Sequence, residues 1–256
     1  MPPAPEPNGS PERLKAEGFP VAPIIEAIMD VQFEGGLTAE EVSQLADALG
    51  AFYPTRTETR QAGFSYDFST ETVDVQEARS MFRLDGKDAT ELALIRPDGF
   101  SASQLTPYKS WDLLFDRFAR DWSEADRVLG SRKASRLAVR YINRIDVPVD
   151  DCGIAEHEEY LTAHIRMPEG IPSVTDFYLR FAFPVLDIGA LATVQSAVMP
   201  QAVEGKASFA IDIDLAKSEG LAADREGLLE QLSRFREPKN EIYRQMLTEK
   251  ALGEFR

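Results

Sequence analysis

Cysteine, histidine and basic charge are scarce in this chain. Its 256 residues include one cysteine, Cys152, so an intrachain disulfide and a cysteine-based zinc cage are both excluded. Cys152 follows Asp150 and Asp151, an acidic setting that works against a thiolate nucleophile. The two histidines, His157 and His164, lack the HExxH spacing of a zinc protease, and His157 sits among Glu156, Glu158 and Glu159. That neighbourhood reads as a solvated acidic helix. No apolar run approaches the ~20 residues a membrane-spanning helix needs. Lys and Arg number 28 against 43 Asp and Glu, giving a net charge of −15. The excess is concentrated between Asp150 and Glu230, where 15 acids face 5 basic residues. Such a surface repels phosphate backbones and anionic bilayers, which argues against nucleic acid and membrane partners. Phosphate loops, dinucleotide fingerprints and G-x-S-x-G elbows are missing as well, and no cofactor is expected.

The first 20 residues, rich in proline and without an apolar h-region, read as a disordered leader and not as a signal peptide. The expected compartment is the cytoplasm.

What is present is alternation. From Ser135 to Pro148 (SRLAVRYINRIDVP), Leu137, Val139, Tyr141, Asn143, Ile145 and Val147 share one parity. Arg136, Arg140, Arg144 and Asp146 share the other with Ala138 and Ile142. This is the period of a strand with one face on a core and a charged face opposite. Ile24 to Phe33 repeats the pattern, with Ala27, Met29, Val31 and Phe33 inward. Thr38 and Glu41 then form a capping box for a helix carrying Val42, Leu45, Ala46 and Leu49, ended by Gly50. Strands are predicted near Phe64 to Phe68, Val73 to Leu84, Glu91 to Arg96 and Phe100 to Leu105, with turns at Asp85-Gly86 and Asp98-Gly99. Thr106-Pro107 is read as the start of a second helix, striped by Trp111, Leu114, Phe115, Phe118 and Trp122.

After a joint at Gly130 to Lys133 the order resumes. It runs through the central strand, a short helix around Ala155 to Leu161, and strands at Val174 to Phe183, Ala190 to Met199 and Ala207 to Leu215. Two helices close the chain, from Asp224 to Phe235 and from Pro238 onward. The expected fold is α+β: two similar halves, residues 21–130 and 131–256, sharing a curved antiparallel sheet with helices on one face. Each half would run strand, helix, three or four strands, helix. The order looks like a helix-grip unit, and two fused copies resemble the saddle of TATA-binding-protein-like folds, a likeness of topology alone.

Three segments carry a second resemblance. They are PIIEAIMDVQF (23–33), RYINRIDVP (140–148) and KNEIYRQMLTEKA (239–251), with Arg-Tyr-Ile-Asn-Arg the most specific part. Together they are similar to a sporadically distributed bacterial family of chains of this length with no assigned function. The resemblance supplies no catalytic residues.

Arg136, Arg140 and Arg144 follow at four-residue intervals, roughly 13 Å apart on a strand. Two of them could hold an elongated phosphorylated or polycarboxylate ligand. The competing reading pairs them across strands with acids such as Glu26 and Asp30. Tyr141 and Asn143 fall on the apolar parity, where a buried amide must find partners, in a ligand or in the fold. Asp212 and Asp214, with Asp176 or Asp187, could hold Mg²⁺, but alternation alone makes them the polar face of a strand. The Trp111 stripe reads as core, or as one wall of a cavity faced by Phe177, Phe181 and Phe183.

These observations favour a non-catalytic binding module that engages a protein partner, a basic one given the acidic second half, or a small anionic ligand. The alternative is a small-molecule sensor or enzyme with a cavity between sheet and helices, bearing Arg140, Arg144, Tyr141 and Asn143 at its mouth. A homo-oligomer acting as a scaffold is the third reading.

Overall fold

A computed structural model of the chain describes residues 23–61, 64–67, 72–75, 79–168, 170 and 174–254. The leader expected over residues 1–20 lies outside them. The chain runs β1 (Ile24–Phe33), α1 (Ala39–Leu49), β2 (Thr55–Gln61), β3 (Phe64–Asp67), β4 (Thr72–Val75), β5 (Arg79–Asp85), β6 (Glu91–Arg96), β7 (Gly99–Leu105) and α2 (Trp111–Leu129). It continues through β8 (Ala134–Pro148), β9 (Tyr178–Val185), β10 (Ala190–Met199), β11 (Lys206–Lys217), α3 (Arg225–Ser233), α4 (Arg236–Gln245) and α5 (Glu249–Gly253).

Nine strands form one curved antiparallel sheet, in the order β2-β5-β6-β7-β1-β8-β11-β10-β9. The fold is α+β, with the helices packed on one face of that sheet. The two alternating strands read from the sequence are its centre: β1 and β8 pair antiparallel, Ala27 opposite Tyr141 and Val31 opposite Leu137. β7, β6 and β5 extend outward from β1, while β11, β10 and β9 extend from β8. Helices do not follow that correspondence. The first flank has α1 where the second has only a 3₁₀ turn at His157–Glu159.

The period-2 pattern sorts side chains between two environments. Ala27, Met29, Val31, Leu137, Val139, Tyr141, Ile211, Ile213 and Leu215 all point to the helix side and are buried. From α2, Phe118 and Trp122 close on Phe100 of β7, at centroid distances of 5.4 and 6.3 Å. Trp111 stacks on Tyr141 at 6.3 Å. Trp122 and Phe118 are almost fully enclosed, so truncating either costs about 3–5 kcal/mol.

Several elements differ from the sequence reading. α2 starts at Trp111 and not at Pro107: Ser110 caps it by accepting from the Leu113 N–H, while Thr106 still donates to Ile25 in β1. The stretch read as one strand from Val73 to Leu84 is two, β4 and β5. β2 (TRTETRQ) was invisible because it has no apolar face. The helix expected around Ala155 to Leu161 is only the 3₁₀ turn, and His157 is buried in it, not solvated. Its ring packs 5.1 Å from Phe177, and Nε2 lies 3.3 Å from the Ile165 carbonyl. The cause is tertiary: Leu161 bridges to Leu247 and the Thr162 N–H donates to the Met246 carbonyl, which ties this segment to the C-terminal helices.

Candidate ligand-binding site

The sheet face away from the helices carries the charged parity of β1, β8 and β11, and here the arginines meet carboxylates. Arg136 bridges two acids, Asp30 on β1 (3.1 Å) and Asp214 on β11 (2.8 Å). Arg96 Nη2 donates to the other oxygen of Asp30 at 2.5 Å, so one buried carboxylate joins β6 and β8 across β1. Arg140 makes a bidentate pair with Asp212, Nε to Oδ1 at 2.9 Å and Nη2 to Oδ2 at 2.5 Å. This fork geometry is the strongest arginine–carboxylate contact. Arg144 takes Asp146 on its own strand (2.9 Å), Ser208 (2.7 Å) and the Pro200 carbonyl (2.8 Å).

These contacts set the electrostatics. Burial by itself would lower the Arg96 pKa, but the Asp30 carboxylate outweighs it and the net shift is upward. Hydrogen bonding to Asp212 raises Arg140 in the same direction. Burial pushes the Asp214 carboxyl up despite the opposing pull of Arg136. Arg96 and Arg140 stay charged, and Asp214 bears a cost of desolvation.

Between the flanks the curved face encloses a groove of about 570 Å³. Five guanidiniums line it, from Arg83, Arg96, Arg136, Arg140 and Arg180, against three carboxylates, from Glu26, Asp30 and Asp214. Ser101, Ser103, Thr193 and Gln195 add neutral hydrogen-bonding groups, and Ile28, Leu92, Leu94 and Leu105 an apolar floor. Arg180 stands exposed on the edge strand β9, opposite Gln195, and no carboxylate among the described residues pairs with it.

No protein-family model matches the chain, and no curated protein matches it. The site is therefore read from its own geometry.

The four residues singled out in the sequence divide between the two faces. Arg140 lines the groove. Arg144 lies further along β8, spent on Asp146, Ser208 and Pro200. Tyr141 and Asn143 point the other way and share a cavity of about 80 Å³ under α4 with Ile24, Ile213, Lys239 and Tyr243. One mouth bearing all four does not exist, because adjacent residues of a strand face opposite sides. Of the acids proposed as partners, Asp30 pairs with Arg136, whereas Arg140 takes Asp212. Asp212 and Asp214 serve as ion-pair partners on this face. Among the described residues no cluster of three or more His, Cys, Asp or Glu side chains is placed to hold a metal ion, and no helix is long and apolar enough to cross a membrane.

Sequence reasoning missed Lys239, and a signal was there. Phe235, Lys239, Ile242, Tyr243 and Met246 fall at helical spacing on one stripe, which puts a lysine on the inward face of α4. Arg96 and Arg180 were missed because the groove brings them together with Arg136 and Arg140 from strands distant in sequence.

Proposed function

We propose that this protein is a non-catalytic binding module that holds an elongated small-molecule anion, bearing two or more carboxylate or phosphate groups, in the groove on the open face of its sheet. One observation carries this reading. In a chain of net charge −15, five guanidiniums line the groove, four of them held by acids and Arg180 unmatched by any acid among the described residues. A volume of about 570 Å³ falls within the ~300–1,000 Å³ range of small-molecule sites. Arg180 and Arg140 sit three strands apart, roughly 14 Å at the ~4.8 Å strand spacing. A ligand spanning them must be extended and charged at both ends. The paired arginines are held by their aspartates before a ligand arrives, so little ordering entropy is lost on binding.

The test is a thermal-shift and calorimetric titration with citrate, a sugar bisphosphate and inorganic phosphate. The two-ended anions should raise the melting temperature, and Arg180→Gln should weaken their binding about tenfold while leaving the apo melting temperature unchanged. Binding indifferent to Arg180, or no binding by any of the three, overturns the reading.

A further inference from the structure

The second cavity is independent of the groove. Lys239 is 8% exposed, and its ammonium makes no hydrogen bond and no ion pair among the described residues. Its contacts are ring faces: Nζ lies 3.7 Å from the Tyr141 centroid and 5.8 Å from that of Trp111. Tyr141 is itself fixed from two sides, by the Trp111 stack and by the Tyr108 hydroxyl at 3.0 Å from its own. Asn143 lines the same cavity. Its Nδ2 donates to the Ile211 carbonyl (3.0 Å) and the Tyr141 carbonyl (3.3 Å), while its Oδ1 accepts from no described residue. The amine and the amide oxygen thus face one small cavity, and neither has a hydrogen-bond partner among the described residues. The volume of about 80 Å³ equals that of two or three waters.

We propose that Lys239 is a nucleophilic amine that condenses with a carbonyl compound of two or three carbons to form a Schiff base in this cavity. The surroundings favour the neutral amine. Burial among aromatic rings is the main cause that draws its pKa down to about 7, and the Arg236 and Arg244 charges act in the same direction against Glu237. Tyr141, Tyr108 and Tyr243, the other titratable groups around it, are all shifted upward by burial and stay neutral. The lone pair of Nζ attacks the carbonyl carbon, forming the C–N bond. One N–H proton passes to the oxygen, giving a carbinolamine. The hydroxyl then leaves as water with the second N–H proton, and the C=N bond closes. Oxidation states do not change and no co-reactant is needed. An imine carries no charge into an apolar cavity, which a bound carboxylate ion would. Lysines desolvated by apolar walls are activated as nucleophiles by this physics.

Full-length protein at pH 7 is exposed to glycolaldehyde or acetaldehyde with cyanoborohydride, and peptide mass spectrometry reads the reduced adduct at each lysine over time. The expected result with at least one probe is labelling of Lys239 at least tenfold faster than Lys133, an exposed lysine paired with Glu34. Lys239→Arg should remove that adduct and leave the labelling of Lys133 unchanged. Labelling of Lys239 no faster than that of Lys133 with both probes overturns the proposal. Because the comparison is made within the wild-type chain, it does not depend on the variant folding.

Discussion

The amine of Lys239 rests 3.7 Å above the ring of Tyr141, and this contact joins the last helices to the central strand of the sheet. A lysine at this depth is costly. Its charged form loses water and regains only the quadrupole of two rings, about 0.5–2 kcal/mol. A fold under selection for stability alone would place a methionine or leucine here.

Lys239→Met should therefore stabilise the protein by about 2–4 kcal/mol at pH 7, and the gain should shrink with rising pH. Lys239 titrates near 7 in the folded chain and near the ordinary lysine value, about 10.5, when unfolded. Between those values the unfolded chain binds a proton that the folded one does not, so wild-type stability rises with pH relative to the variant. Urea unfolding at pH 7, 8.5 and 10 measures the gap. A gap independent of pH would mean that Lys239 keeps its charge in the fold.

Asp30→Asn should cost about 3–5 kcal/mol. Its buried carboxylate answers both Arg96 and Arg136, and removal leaves two partly buried guanidiniums short of a partner. Asp98 and Asp214 remain to hold one edge of each guanidinium, which argues against complete unfolding. Chemical denaturation of the variant reads the loss. A change below 1 kcal/mol would show that water replaces Asp30 freely, and that the groove is not a preformed array.

How much of this was written in the sequence depends on the distance over which each feature is specified. The alternation of β1 and β8 is local, and it correctly gave the two central strands and the face each side chain takes. The Thr38–Glu41 capping box is local too, and both of its hydrogen bonds are formed. By contrast, Thr106-Pro107 carried a helix-start signal that Ser110 fulfilled instead, because the Thr106 N–H is still bonded to Ile25 of β1 where the chain leaves β7. His157 stands among acids in the sequence, yet contacts made by Leu161 and Thr162 with residues more than eighty positions away bury it. The pairing of Arg140 with Asp212 could not be read because alternation gives a residue's face but not its partner. Lys239 was legible and passed over: an inward lysine on an otherwise apolar stripe is a local signal.

Two glycines should respond differently to alanine. A Cβ on Gly99 would stand 2.0 Å from the Val31 carbonyl oxygen, backbone that can move only by breaking the β1–β7 pairing opposite Gln32. Gly130 has a positive φ of 72° but open space around its Cβ position. Gly130→Ala should cost about 1–3 kcal/mol, because a φ of 72° with a ψ of 169° lies in a region open essentially to glycine alone. Gly99→Ala should cost more than that, because strand separation is added to it. Thermal unfolding of the pair checks the order, and equal losses would mean that β7 yields at its first residue.

Arg144 and Arg180 make the sharpest contrast on the open face. Arg144 is spent on three partners within the fold, and Arg180 on none among the described residues. Arg144→Gln should lower stability by about 1–3 kcal/mol, since Asp146 and Ser208 lose a charged donor. It should leave anion binding within twofold of wild type. Arg180→Gln should shift stability by less than about 0.5 kcal/mol, as exposed substitutions do, and should weaken binding about tenfold. Salt separates the causes further. Screening should weaken wild-type binding of a two-ended anion more steeply between 50 and 200 mM NaCl than binding to Arg180→Gln, which has one fewer charge to screen. Equal salt slopes in the two proteins would place the anion away from β9.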